Sequence, residues 1–290
     1  MSHAPVRVHD TTRCLLGEGP LWHPERGQLL WCDILSRRIL AREDGRLRDW
    51  SFDQFVSCMG WVDRSRVIVA TQTDLTLLDL DSGATETLCP VESDNPETRS
   101  NDGRADPHGG FWLGTMALDK TPGAGALYRY HEGELTCLRP GLTIPNAICF
   151  SPDASCAYFA DTPTGRVHRW ALDDAGWPTG EPQPFADESA SGHAPDGAVC
   201  DAAGRVWVAN WGSARIAVYS SDGALERTVP MPAAQVTCPA FGGDDLSTLY
   251  CTSATIDLPE TELTANAAHG LTFAVDGVGT GQGEHRVSLG

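Results

Sequence analysis

The first ten residues, Met1–Asp10, hold no long apolar run and no cleavage-like pattern, so neither a signal peptide nor a membrane span is expected. No Cys-x-x-Cys pair occurs among the 10 cysteines, which removes zinc-finger and thioredoxin-like readings. The chain lacks a Gly-x-Ser-x-Gly elbow and a His-Glu-x-x-His motif, so a serine hydrolase of the elbow type and a zincin are both unsupported. No segment carries a convincing amphipathic helical period. Positive charge is scarce: Lys plus Arg total 21 against 39 Asp plus Glu, a formal net charge of -18. Such a surface repels phosphate backbones and anionic lipid heads, so no nucleic-acid or membrane partner is expected. These absences predict a cytoplasmic protein that acts on a small molecule, and they leave its oligomeric state open.

What is present is a repeat. A turn rich in Pro, Asp and Gly leads into an aromatic or β-branched strand, starting at His23, Val62, Asp106, Ser151, Asp201 and Gly243. The spacing is near the roughly 40–45 residues of a four-stranded propeller blade. One blade cannot bury both of its faces, so blades must pack in a ring. Six copies predict an all-β, six-bladed β-propeller that takes up residues 1–290 as one domain, with a large β-sandwich as the alternative. A ring must also hide its edge strands. Val6–Arg13 alternates like a strand and is expected to pair into the last blade, beside strands between about Val236 and Ala274. His285–Leu289 is a weaker strand candidate. The cysteines lie in strand-like runs, as at Cys32 and Cys251, and read as buried small hydrophobes.

Polar residues interrupt the pattern where the chain enters a blade. Glu18 lies between Gly17 and Gly19, whose missing side chains allow close backbone approach and leave room for a ligand. Arg99, Asn101 and Asp102 form a second group, Asn146 follows Pro145, and Asp196 follows Pro195. Each alone reads equally well as a turn or a backbone-bonding residue. Together, Glu18, Asn146 and Asp196 enter different blades from equivalent positions, and a radial fold gathers such residues at the axis. Two carboxylates that close repel unless a cation lies between them. An all-oxygen set suits Ca2+, Mg2+ or Mn2+ better than a thiolate-seeking metal, with Zn2+ and Fe2+ not excluded. Three protein ligands leave coordination positions for water and substrate. His23, His108 and His193 lie near loops and read as solvated or structural.

These stretches resemble the gluconolactonase family, which includes senescence marker protein (regucalcin) and the luciferin-regenerating enzyme. The matching motifs are Leu16-Gly17-Glu18-Gly19-Pro20, Arg99-Ser100-Asn101-Asp102-Gly103, Gly114-Thr115-Met116, Pro145-Asn146 with Ser151-Pro152-Asp153, Pro195-Asp196-Gly197 and Cys238-Pro239-Ala240-Phe241-Gly242-Gly243. Each is weak alone, and their shared order carries the resemblance. It implies a central-channel metal site for one divalent cation, Ca2+ foremost, on Glu18, Asn146 and Asp196. It implies substrate contacts from Arg99 and Asn101, and from Asp119, where some relatives carry Glu. The expected reaction is hydrolysis of a sugar lactone to its aldonic acid, with Asp196 both ligating the cation and helping to remove a proton from water. Another metal-dependent esterase and a non-catalytic calcium-binding propeller are the alternatives.

Overall fold

The computed structural model describes residues 5–290 and consists of six four-stranded antiparallel sheets. The first five are consecutive in the chain. They run from Gly17–His23 to Arg46–Ser51, Val56–Trp61 to Thr85–Pro90, Thr98–Ala105 to Glu134–Leu142, Pro145–Phe150 to Gln183–Asp187, and Ala194–Cys200 to Leu225–Pro230. The sixth combines Val236–Gly242, Thr248–Ser253 and Thr272–Asp276 with Val6–Asp10 from the other end of the chain. Val6 faces Val275 and Val8 faces Phe273 in that pairing. The expected closure therefore occurs, with the strand ending at Asp10.

Each copy of the repeat is the turn between the first two strands of a blade, plus the second strand. Two copies show why Asp and Trp recur. Asp106 accepts the backbone N–H groups of His108 and Gly110 and the indole N–H of Trp112. Asp201 does the same for Ala203, Arg205 and Trp207. One carboxylate thus closes the turn and anchors a buried aromatic ring.

The inner strands Gly17–His23 and Val236–Gly242 are buried throughout, whereas the outer strand Thr85–Pro90 is mostly exposed. Burial on both faces explains why inner strands read as continuous apolar runs rather than alternating ones. The core lies between blades: Leu30 and Ile39 of the first sheet pack with Val67 and Leu78 of the second. All 10 cysteines are free, and seven of them are buried, as expected of small hydrophobes.

His285–Leu289 forms no strand, which corrects the sequence-based expectation. The tail crosses the end of the channel opposite the polar motifs. Gln282 donates to the Phe150 carbonyl, Glu284 pairs with Arg104, and the Val287 N–H donates to the Trp61 carbonyl. Its partners are ends of different inner strands, so no single edge offers it a ladder. No helix among the described residues is long and apolar enough to cross a membrane.

Candidate active site

In every blade the pairing of the inner strand breaks once near its start. The breaks lie between Glu18 and Leu21, Val56 and Cys58, Ser100 and Gly103, Asn146 and Cys149, Pro195 and Ala198, and Val236 and Pro239. Such bulges re-aim side chains. The polar motifs sit at these breaks, at the same end of the channel. Glu18 and Asn146 occupy the same position, the last paired residue before the break. Asp196 and Asn101 lie one residue further on, inside the break. The expected equivalence therefore holds for Glu18 and Asn146, while Asp196 reaches the site from the next position. Gly19 and Ala147, which follow Glu18 and Asn146, are left-handed at φ +50° and +57°, and Asn101 and Asp196 are not.

Of the two roles read for the glycines beside Glu18, close backbone approach is the one the structure shows at Gly19, and Gly197 shares it. A Cβ at Gly19 would lie 2.5 Å from the Ser57 carbonyl oxygen, and one at Gly197 would lie 2.3 Å from Cys238 Sγ. The space beside them is filled by the neighbouring inner strand. These glycines let the strands converge tightly enough to bring their polar residues together.

A one-way chain of hydrogen bonds orders the site. Arg99 Nη1 donates to Asn101 Oδ1 at 2.9 Å, and Asn101 Nδ2 donates to Asn146 Oδ1 at 3.0 Å. Asn146 Nδ2 donates to Thr162 Oγ1 at 2.8 Å, and Thr162 donates to the Pro195 carbonyl at 2.8 Å. The last link reaches the residue before Asp196. With both amides held this way, each Oδ1 keeps one lone pair beyond the bond it accepts. Sequence reading missed Thr162. It follows a second strand, Cys156–Asp161, and no inner-strand motif points to it.

Charge at the site is poorly balanced. Glu18, Arg99, Asn101, Asn146 and Asp196 are all buried. Burial, and then the nearby charge of other carboxylates, pushes the Glu18 and Asp196 carboxyls above the usual range. Asp102, buried beside them, is also raised by burial, although the N–H groups of Gly103 and Ile148 bond it at 2.9 and 2.8 Å. Burial pulls the Arg99 guanidinium down to about 10, against the opposing pull of Glu18 and Asp196. Among the described residues, no cluster of three or more His, Cys, Asp or Glu side chains has the geometry to hold a metal ion. The set here is two carboxylates and an amide. Oxygen donors with uncompensated negative charge and a fixed amide fit a hard divalent cation.

Glu18, Arg99, Asn101, Asn146, Thr162 and Asp196 line the polar part of one cavity of about 140 Å3. Leu16, Met116, Ile144, Trp211 and Ile256 give it apolar walls, and Lys120 and Asp257 stand at its mouth. Asp119 does not line it. The side chain is exposed, and Oδ1 accepts the N–H and hydroxyl of Thr121 at 2.9 and 2.7 Å. The turn spends that carboxylate on its own backbone and presents the next residue, Lys120, instead. His23, His108 and His193 are also absent from the lining. His23 bonds the Asp63 carbonyl and His193 bonds Ser213.

A propeller with this site belongs to a recognisable class. The model of the SMP-30/Gluconolactonase/LRE-like region matches residues 16–255. The chain belongs to that family. It is 34% identical over 297 residues to the pentonolactonase XacC of Haloferax volcanii, covering 97% of each chain. It is 33% identical over 276 residues to the 6-deoxy-6-sulfogluconolactonase of Pseudomonas putida, covering 92% of this chain and 95% of that one. The crystal structure of regucalcin from Agrobacterium tumefaciens, described as a calcium-binding protein, superposes with a TM-score of 0.96 at 38% identity, over 99% of this chain and 98% of that one.

Proposed function

We propose that the protein hydrolyses a sugar lactone to its aldonic acid in sugar catabolism, with the help of one divalent cation. The observation that carries this reading is the convergence of Glu18, Arg99, Asn101, Asn146 and Asp196 in one cavity with apolar walls. Relatives named for lactone hydrolysis, identical at about a third of positions over nearly the whole chain, support the substrate class.

Glu18, Asn146 and Asp196 would hold the cation, with Ca2+ the first candidate and Mg2+, Mn2+, Zn2+ or Fe2+ open to test. Such an ion supplies Lewis acidity to an ester carbonyl. The other contributions come from the chain itself. Asp196 would help to remove a proton from water; because a cation held against its carboxylate lowers its proton affinity, part of that activation would come from the cation acidifying the water. Arg99 places positive charge where the lactone carbonyl oxygen gains negative charge. Asn101, bonded on both sides, is oriented to meet a ring hydroxyl. Leu16, Met116 and Trp211 exclude bulk water from one side of the ring. The same apolar walls suit an aryl ester, which is the second reading.

The test strips the protein with chelator, restores single cations, and follows acid release from a panel of aldonolactones and aryl esters. Cation-restored turnover of sugar lactones that disappears in Asp196→Ala supports the proposal. Cation binding with no lactone turnover refutes it.

A further inference from the structure

Lys120 is the only lysine in the chain, and the other basic side chains among its 21 Lys and Arg are arginines. It stands at the mouth of the cavity, on the turn between Phe111–Ala117 and Gly125–His131. Nζ lies 3.3 Å from Asp257 Oδ2, with both side chains more than half exposed. Asp257 follows Thr248–Ser253, so the pair joins the third and sixth blades across the opening.

Both residues are left-handed, at φ +63° for Lys120 and +61° for Asp257. Residues with side chains avoid this region unless their surroundings impose it. At Lys120 the constraint is local. Asp119 holds Thr121, and the Lys120 N–H donates to the Ala117 carbonyl. At Asp257 the constraint is the segment that leads into the first blade, because the N–H groups of Thr255 and Ile256 both donate to the Leu15 carbonyl at 3.0 Å. Two separately strained turns thus aim opposite charges at each other over one cavity.

We propose that Lys120 and Asp257 form an outer subsite that recognises the exocyclic hydroxyls of the lactone, with a vicinal diol as the best fit. This rests on the lactonase reading. An ammonium only donates and a carboxylate only accepts, whereas a hydroxyl does both. A diol can therefore accept from Lys120 and donate to Asp257 at once. The pair is exposed, so opening it to admit a hydroxyl costs little. An anionic tail fits worse, since Asp257 and the net charge of -18 oppose it. An ammonium on a flexible stem also suits scattered hydroxyl oxygens better than the planar fork of arginine, which matches carboxylates.

The test compares the cation-loaded enzyme with Lys120→Met and Asp257→Asn on three five-membered lactones. These are a hexonolactone with an exocyclic diol, a pentonolactone with one exocyclic hydroxyl, and unsubstituted butyrolactone. In either variant the kcat/KM ratio of hexonolactone to butyrolactone should fall about tenfold, mostly through KM, and the pentonolactone ratio should fall less. Asp257→Asn should also improve a lactone with a terminal carboxylate. Equal losses on all three substrates, or no loss, overturn the subsite. A second arm needs no turnover. Lys120 is acetylated in the intact protein and read by mass spectrometry, with the N-terminal amine as internal reference. A hexonolactam should protect it and butyrolactam should not. Protection without turnover of any lactone supports the subsite and refutes the hydrolase reading. Turnover without protection overturns the subsite alone.

Discussion

At the cavity end of the channel, Glu18, Asp102 and Asp196 are buried with Arg99 among them. At the other end, Arg104 pairs with Glu284 of the tail, both partly buried, and its Nη2 also reaches the carbonyls of Ala198 and Pro239. The same inner strand, Thr98–Ala105, carries Arg99 and Arg104. One end leaves negative charge unmatched in a cavity, and the other matches its charge and is crossed by chain. Burial of unmatched like charges costs stability, so it is tolerated where something binds. A matched pair costs little more to keep, but much to break.

The largest expected effects follow from that contrast. Asp196→Ala should lower kcat/KM on the preferred lactone by roughly 10²–10⁴-fold, the range for loss of a positioned acid or base. The same substitution should raise the melting temperature of the chelated protein, because it removes one of the repelling carboxylates. A fall in that melting temperature would mean the cavity end is not strained by charge. At the far end the signs reverse. Arg104→Met should destabilise the protein by about 1–3 kcal/mol in urea titrations, because the partly buried Glu284 is left without its partner. The double variant Arg104→Met with Glu284→Met should recover most of that loss, and additive losses would show that the pair does not act as a unit.

The cavity end was legible in the sequence and the far end was not. Glu18, Asn146 and Asp196 interrupt apolar strands at turns that recur with the blade, so their convergence follows from counting blades. The closing strand Val6–Asp10 was legible from its alternation. The tail was not, because Gln282, Glu284 and Val287 bond to ends of separate inner strands and so carry no strand period. Thr162 and Asp257 come from loops after second strands, where no repeat points to them. Asp119 was read from its place after the Gly-Thr-Met motif, and the motif carries no sign that the turn takes up its carboxylate and leaves Lys120 at the cavity mouth.

A smaller effect separates the donors from the residue that orients them. Thr162→Val removes the acceptor of Asn146 Nδ2 and the donor to the Pro195 carbonyl, yet leaves all three proposed donors in place. Loss of such a supporting bond costs roughly 10–100-fold in metal affinity. Calorimetric titration of the chelated variant with Ca2+ checks this, and unchanged affinity would show that Asn146 is held by Asn101 alone. Thr162→Ser should restore binding, since it keeps the hydroxyl.

In the pH dependence of stability the two ends oppose each other. In chelated protein Glu18 and Asp196 are raised by burial and by neighbouring carboxylates. The folded form therefore holds more protons than the unfolded form above the ordinary carboxylate value near ~4.5, and stability falls as pH rises through that window. His285, on the tail beside Phe150, is lowered by burial. There the unfolded form holds more protons below about 6.5, so stability is lost as pH falls past that value. Asp196→Asn should flatten the alkaline limb and His285→Phe the acid limb in melting curves taken from pH 5 to 8. Adding cation should remove the alkaline limb only, because cation binding substitutes for the missing positive charge at one end and leaves the other untouched. If His285→Phe leaves the acid limb in place, that limb belongs to His9, His23 or His168, which burial also lowers, and the tail carries no share of it.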